Sequence, residues 1–134
     1  MRTVVVVDLT GSMQGVREES AKQLARRIHT VYPASQFFGV HVNDTVIPLN
    51  PIAPWPHPTG QGDVYAAGVK ICEHFEDVGR LFVITDGEVE GSPARFREAM
   101  REKGVRLTAL ILDGDEFRNE VTMARALAQL EGGS

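Results

Sequence analysis

The chain has a single cysteine, Cys72, and no apolar stretch near the roughly 18 residues that a membrane-spanning helix needs. One cysteine excludes an internal disulfide and is typical of a reducing compartment. The apolar run Val4–Val7 is too short for a signal peptide and ends on an acid. We therefore expect a cytoplasmic protein without a membrane segment, in which residues 1–134 form one complete domain.

Acidic residues outnumber basic ones, and the formal net charge is −4. Only three residues are lysine, and no basic run is present. Nucleic-acid-binding domains usually show the opposite balance, so we expect no nucleic-acid partner. The four histidines lack the spacing of metal ligands, both among themselves and relative to Cys72. The sequence also lacks a phosphate-binding Gly-x-x-x-x-Gly-Lys motif and a Ser–His–Asp order.

The most informative segment that is present runs from Val4 to Met13. Four consecutive valines are typical of a strand that is buried on both faces, as in the middle of a parallel sheet. Asp8, Thr10 and Ser12 follow at alternate positions, where a tight loop can direct three oxygens toward one point. Such hard ligands with one formal charge suit Mg²⁺ or Mn²⁺. The alternative is that these residues only cap the first helix.

Strand-like and helix-like segments alternate along the rest of the chain. The predicted strands are Thr3–Asp8, Phe37–Val42, Thr45–Leu49, Leu81–Thr85 and a last one that contains Leu107, Ala109 and Ile111. The predicted helices are one that buries Ala21 to Tyr32, one capped by Asp63, one capped by Ser92 and closed by Gly104, and one from about Asp115 to Leu130. This order predicts an α/β fold with three layers: a doubly wound, mostly parallel sheet with one antiparallel edge hairpin, and helices on both faces.

A second acidic residue, Asp86, also lies at the end of a predicted strand and is a further candidate for the site at the end of the first strand. If the two most apolar strands are central neighbours, their exits diverge to opposite faces and a crevice opens between them. The proline-rich loop Asn50–Gly62 enters the second helix at the same edge, so Thr59 and Asp63 are further candidates for this site. Asp63 has the alternative role of N-cap for that helix.

Three segments together resemble the von Willebrand factor A (VWA) domain and its metal-ion-dependent adhesion site. Asp8-Leu9-Thr10-Gly11-Ser12-Met13 is similar to the Asp-x-Ser/Thr-x-Ser element of that family. Ile84-Thr85-Asp86-Gly87-Glu88 resembles its fourth-strand acid followed by glycine, and Gly60 to Ala67 resembles its middle loop. The order and separation of the three elements match those of the family, and the strand–helix pattern agrees over nearly the whole chain. The resemblance implies a VWA-type Rossmann-like fold of the free-standing intracellular kind.

The resemblance implies a function as well as a fold. Thr10 and Ser12 would coordinate the metal through their hydroxyls, Asp8 and Asp86 would act mainly through bound waters, and a partner protein would supply a carboxylate. Gly62 departs from the family, which usually has a threonine there as a third direct ligand. Thr59, or otherwise Asp63 or a water, would take its place. Free-standing members commonly work inside larger complexes, so we expect a non-enzymatic protein-interaction module.

Two residues outside the metal site are candidates for contact with the partner. Trp55 lies between prolines in the loop, where a stiffened backbone can present an aromatic anchor at low entropic cost. The equally weighted alternative is that the loop folds Trp55 down over a sheet edge. Glu88 belongs to an acidic rim near the site, which either attracts a basic or cationic partner or is simply solvated.

Two other functions stay open at this stage. The first is a VWA-like binding module with a degenerate, metal-free site, which Gly62 makes credible. The second is a Mg²⁺-dependent phosphatase similar to haloacid dehalogenases, which also place an aspartate after the first strand. That family carries another aspartate two residues later, where this chain has Thr10, and it needs a lysine at the site. The only later lysines, Lys70 and Lys103, fall within predicted helices.

Overall fold

The structure is a computed structural model that describes residues 1–86 and 93–112. Its strands are β1 (Arg2–Asp8), β2 (Gln36–Val40), β3 (Val46–Leu49), β4 (Val78–Thr85) and β5 (Arg106–Ile111). Its helices are α1 (Val16–Val31), α2 (Val64–His74) and α3 (Pro93–Glu102), with short 3₁₀ turns at Gly11–Met13 and Val42–Asp44. The predicted Ser92 cap and the predicted helix from about Asp115 to Leu130 lie outside the described residues.

The five strands form one sheet in the order β3-β2-β1-β4-β5. β1 pairs in parallel with β2 and β4, and β4 pairs in parallel with β5. β2 and β3 pair antiparallel at the edge. The predicted fold class is therefore confirmed: a mostly parallel α/β sheet with one antiparallel edge hairpin, and with β1 and β4 as central neighbours.

The central strands are buried on both faces, as their apolar runs predict. Val4–Val7 and Leu81–Ile84 have no exposed surface, and alternate residues enter two separate hydrophobic cores. Val5, Val7, Phe82 and Ile84 pack with α1 in the first core. The opposite side chains of the same strands pack with α2 and α3 in the second core. Cys72 belongs to this second core, which confirms its prediction as a packing residue.

The two chain exits diverge, and this opens the crevice. β1 leads through α1 to β2 on one side, whereas β4 leads through α3 to β5 on the other, and the two helices cover opposite faces. Ligands of open α/β sheets bind outside the carboxyl ends of the strands at such a switch point. None of the helices in residues 1–86 and 93–112 combines the length and apolarity that crossing a membrane requires.

The connection between β2 and β3 is longer than the two-residue turn that the sequence predicted, because residues 41–45 lie between the strands and both strands are shorter than expected. Asn43 and Asp44 adopt positive φ angles of 57° and 59° inside the turn. Asn and Asp tolerate this left-handed conformation better than other residues with a Cβ atom. The turn lies at the carboxyl end of β2 and so contributes to the same sheet edge as Asp8.

Trp55 is only 8% exposed and packs in the core beneath α1. Its indole nitrogen donates a hydrogen bond of 2.9 Å to the Asn50 carbonyl, which folds the proline-rich loop back on itself. The structure therefore shows the alternative in which the loop folds the aromatic down, and contact of Trp55 with a partner stays a prediction. Burial of the large apolar indole of Trp55 stabilises this conformation of the loop.

Candidate metal centre

The carboxylate of Asp8 organises the site from below. It is 1% exposed, and its Oδ1 accepts hydrogen bonds from the Thr10 amide at 2.9 Å and the Thr10 hydroxyl at 2.5 Å. Its Oδ2 accepts a hydrogen bond of 2.8 Å from the Thr85 hydroxyl. Burial raises the pKa of Asp8, whereas the hydrogen bonds from Thr10 and Thr85 act in the opposite direction and the nearby charge of Asp86 adds to the rise. Asp8 thus fixes the loop rather than facing solvent.

A cavity of about 550 Å³ opens at this edge of the sheet. Three predicted metal ligands line it: Thr10, Ser12 and Asp63. The remaining lining residues come from the β2–β3 turn and from the loop before α2, namely Asn43, Asp44, Gly60, Gln61 and Gly62. Hydroxyl, amide and carboxylate oxygens therefore converge on one space, at the position that the strand order predicts.

Backbone hydrogen bonds fix the two sides of the cavity relative to each other. The Gly11 amide donates to the Gly60 carbonyl at 2.9 Å, and the Thr59 amide donates to the Leu9 carbonyl at 3.0 Å. The side-chain amide of Gln14 adds a bond of 2.8 Å to the Pro58 carbonyl. The loop before α2 is thereby tied to the loop after β1, so the cavity walls are positioned before anything binds.

Asp63 caps α2. Its Oδ1 accepts hydrogen bonds from the Tyr65 and Ala66 amides at 3.0 and 3.2 Å, and its own amide donates to Asp44 Oδ1 at 2.7 Å. The N-cap alternative is therefore what the structure shows for this oxygen. Thr59 is exposed, and its described contact runs through its backbone, so the structure does not place its hydroxyl in the cavity wall.

Asp86 lies at the end of β4 with its side chain fully buried, and it is bound by a residue that the sequence analysis missed. Arg17 Nη1 lies 3.1 Å from Asp86 Oδ2 and donates a second bond of 3.0 Å to the Ser12 carbonyl. One signal was available: Arg17 stands in the first turn of α1, where the helix dipole disfavours a cation. A cation at that place indicates a tertiary acidic partner.

The donor chemistry of these residues can be tested against a divalent cation. The Thr10 hydroxyl donates its hydrogen bond to Asp8, so the lone pairs of its oxygen remain for a cation, and Ser12 lines the same cavity. Oxygen donors suit Mg²⁺ or Mn²⁺, so Thr10 and Ser12 fit the expected group. In the described part of the chain, no three His, Cys, Asp or Glu side chains cluster to hold a metal ion, at this edge or elsewhere, so the hydroxyls of Thr10 and Ser12 carry the fit. Glu88 lies outside the described residues.

Gly62 stands where the family usually has threonine, and its surroundings explain the absence of a side chain. A Cβ atom there would lie 3.0 Å from Val40 Cγ1 and 3.1 Å from the His41 carbonyl oxygen. Few real Cβ atoms have contacts this close, and a backbone carbonyl gives way less easily than a flexible side chain. The close approach of the β2–β3 turn therefore accounts for the missing third hydroxyl.

Comparisons with known proteins give the fold. No protein-family model matches the chain, and no curated protein matches it. Among solved structures, it is similar to the crystal structure of an aerotolerance-related membrane protein from Bacteroides fragilis NCTC 9343 with multiple mutations to serines. The sequence identity is 16% and the TM-score 0.54, over 98% of this chain and 88% of that chain. At this identity the similarity shows the fold alone, and it supports a VWA-like fold.

Proposed function

We propose that this chain is a non-enzymatic protein-interaction module that holds Mg²⁺ or Mn²⁺ at the carboxyl edge of its sheet. The observation that carries the proposal is the buried Asp8 carboxylate, which accepts a hydrogen bond from the Thr10 hydroxyl, so that the oxygen lone pairs of Thr10 remain available at the cavity that Ser12 also lines. Thr10 and Ser12 would bind the ion directly, and Asp8 and Asp86 would act through water. The bound cation would supply an electrophilic position for a carboxylate of the partner protein.

The chain's own residues prepare this site for binding rather than for phosphoryl transfer. Thr10 occupies the position of the acid that a haloacid-dehalogenase-type enzyme uses on the leaving group. Lys70 and Lys103 are exposed and do not line the cavity, so neither supplies the lysine that such an enzyme needs. A VWA-like fold also fits an interaction module. We further propose a cytoplasmic location and a role inside a larger complex, in keeping with the single cysteine.

The proposal is tested by thermal unfolding of the full chain, first in EDTA and then in millimolar Mg²⁺ or Mn²⁺. Binding to the folded state alone adds about 2.7 kcal/mol at a hundredfold excess over the dissociation constant. We expect the wild type to gain several degrees and Ser12→Ala to lose that gain. Ser12 is preferable to the buried Asp8 as the main variant, because its removal leaves the Asp8 hydrogen bonds intact.

Ser35→Ala is the matched control, since Ser35 binds the Tyr32 carbonyl far from the cavity. It should keep the full response to metal. Thr59→Ala adds a test of the predicted third ligand, because its exposed hydroxyl contributes only if the loop rearranges around the ion. An equal response of wild type and Ser12→Ala would contradict the assigned ligand set.

A metal-free binding module is the second candidate, and Gly62 is the observation that favours it. On this hypothesis, neither ion shifts the unfolding midpoint of any variant. Partner binding would then survive EDTA and would survive the loss of the Ser12 hydroxyl. Once a partner is known, its binding in EDTA and in Mg²⁺ separates the two candidates.

A further inference from the structure

We infer that Arg17 competes with the divalent cation for Asp86, so that the release of this guanidinium sets the metal affinity of the site. The inference rests on the proposed function, because it concerns the same cavity edge. It assigns to Arg17 a regulatory role that neither the sequence resemblance nor the structural similarity supplies. Arg17 acts on the site through its contact with Asp86 and is not itself a metal ligand.

The contacts of Arg17 place its charge between the two loops that carry the candidate ligands. One nitrogen, Nη1, lies 3.1 Å from Asp86 Oδ2 at the end of β4 and 3.0 Å from the Ser12 carbonyl after β1. The Arg17 side chain is 28% exposed, whereas that of Asp86 is fully buried. The cation therefore reaches in from the surface to a carboxylate that solvent does not reach.

A buried carboxylate needs compensation of its charge, and Arg17 supplies it in this structure. A hydrated divalent cation held by Thr10 and Ser12 would offer Asp86 the same compensation through its water. Two cations on one carboxylate repel each other, and the repulsion is strong where the pair is shielded from solvent. Occupancy by metal and the Arg17–Asp86 contact therefore oppose each other.

Arg17 belongs to neither hydrophobic core. Its side chain is 28% exposed, which gives the guanidinium a route to solvent while its stem stays on the surface of α1. Asp86 stays at its position because it follows the central strand β4. The guanidinium of Arg17 occupies the position beside Asp86 Oδ2, so a cation that approaches Asp86 would have to displace it.

The test measures Mn²⁺ affinity of the full-length chain by electron paramagnetic resonance of free Mn²⁺. Arg17→Gln should bind Mn²⁺ at least about tenfold more tightly than wild type, because a competing charge has been removed. Arg17→Lys keeps the charge but loses the planar fork, so its affinity should fall between the two. Far-UV circular dichroism confirms that each variant is folded.

Lys22→Gln is the matched control, since it removes the same charge from the same helix. Lys22 pairs with Glu18 and Glu19 of its own helix instead of Asp86, so its loss should leave Mn²⁺ affinity within about twofold of wild type. The gain from Arg17→Gln should also vanish when it is combined with Asp86→Asn. Such a cycle isolates the Arg17–Asp86 interaction from the general change in charge.

The outcomes separate this inference from the proposed function. Wild type that binds Mn²⁺ as tightly as Arg17→Gln would overturn the inference and leave the metal site standing. Binding by Arg17→Gln alone would support the inference and show that the wild-type site is closed to Mn²⁺. Equal gains in Arg17→Gln and Lys22→Gln would overturn it, as would a gain that persists with Asp86→Asn. Absence of binding in wild type and in Arg17→Gln would overturn both.

Discussion

Asp8 shows how a single acidic residue can be buried and still serve a site at the surface. Both of its oxygens accept hydrogen bonds, Oδ1 from Thr10 and Oδ2 from Thr85, which offset part of the cost of desolvating the carboxylate. The same bonds link the ends of β1 and β4, the two strands that border the crevice. Orientation of the Thr10 hydroxyl and stability of the central sheet therefore depend on one carboxylate.

Thr85→Val removes the hydroxyl that donates to Asp8 Oδ2 and keeps the shape of the side chain. We expect a loss of about 1–3 kcal/mol in the free energy of unfolding, because a buried carboxylate loses a hydrogen bond. Urea unfolding in EDTA measures this loss without any contribution from metal. Thr30→Val is the control: the Thr30 hydroxyl binds a backbone carbonyl on the exposed surface, so its effect should stay below about 0.5 kcal/mol. Equal losses would mean that the Thr85 hydroxyl contributes nothing specific.

Cys72 provides a second prediction for a single residue. The thiol is 8% exposed, lies 3.8 Å from the Met100 sulfur, and has its pKa raised by burial. A raised pKa leaves less thiolate at any alkaline pH, so the folded protein should react slowly with iodoacetamide even between about pH 8 and 9, where an ordinary thiol ionises. Reaction in urea should be fast. Rapid labelling of the native protein, followed by mass spectrometry, would contradict the burial of this helix face.

The limits of prediction from sequence are also clearest for single residues. Asp8, Thr10 and Ser12 were recognisable because they are neighbours in the chain, and a local pattern predicts their convergence. Arg17 and Thr85 were not, since their partners Asp86 and Asp8 lie 69 and 77 positions away. Whether such side chains meet depends on strand register and rotamer choice, which no local pattern specifies.

Among the elements, α2 begins at a residue with two plausible roles. Asp63 accepts hydrogen bonds from the Tyr65 and Ala66 amides and also lines the cavity. The capping contact is local and satisfies backbone donors that the helix itself leaves unpaired. Any role toward a metal would be added to this structural one, so the two must be separated by substitution.

Asp63→Ala should lower the free energy of unfolding by about 1 kcal/mol, because the first turn of α2 loses its cap. Asp63→Ser should recover most of that stability, since a serine hydroxyl also caps helices. Both are measured by urea unfolding in EDTA and again in Mg²⁺. If Asp63 only caps, the metal-induced stabilisation is the same in the two variants as in wild type. If both variants lost the metal-induced stabilisation that the wild type keeps, Asp63 would be a metal ligand as well as a helix cap.

The β2–β3 turn and the loop before α2 constrain each other at Gly62. We expect Gly62→Thr to destabilise the protein by about 1–3 kcal/mol, because its side chain would overpack against Val40 and the His41 carbonyl. It should leave Mn²⁺ affinity no tighter than in wild type, although it restores the family's usual residue. Gly11→Ala is the control, since its Cβ would meet only ordinary contacts, at 3.5 Å from the Gly60 carbonyl. Tighter Mn²⁺ binding by Gly62→Thr would show that the turn gives way.

Strand and helix identity could be predicted from sequence almost throughout the described residues, because apolar period and length are local properties. Burial of Val4–Val7 and Leu81–Ile84, the hairpin at Asn43 and the cap at Asp63 follow from such patterns. Strand ends at the hairpin were predicted less well, since the left-handed turn shortens both strands. The packing of Trp55 also depended on tertiary contacts.

At the scale of the whole molecule, the sheet separates the two hydrophobic cores of the described residues, and strands β1, β2, β4 and β5 contribute side chains to both. α1 covers one core, while α2 and α3 cover the other. β1 pairs on both edges and is buried on both faces, whereas β3 has β2 as its one partner among the described strands and leaves Val46 and Pro48 exposed. If one core opens and the other stays packed, the amides of β1 stay hydrogen-bonded to β2 and β4. We therefore expect the free energy of local opening to differ between the strands of the sheet.

Native-state hydrogen exchange tests this distribution. The amides of Val5, Val6 and Val7 in β1, with those of β4, should exchange only by global unfolding, and their opening free energy should equal that from urea unfolding. The β3 amides should open at lower free energy, because this short edge strand pairs with β2 and packs against the first core through the partly buried Leu49. Thr85→Val should then lower protection in β1 and β4 by its full loss of stability and leave β3 nearly unchanged. Equal protection of the β3 and β1 amides would mean that the sheet opens as a single unit. The strands that border the site, β1 and β4, would then resist opening no more than the edge strand does.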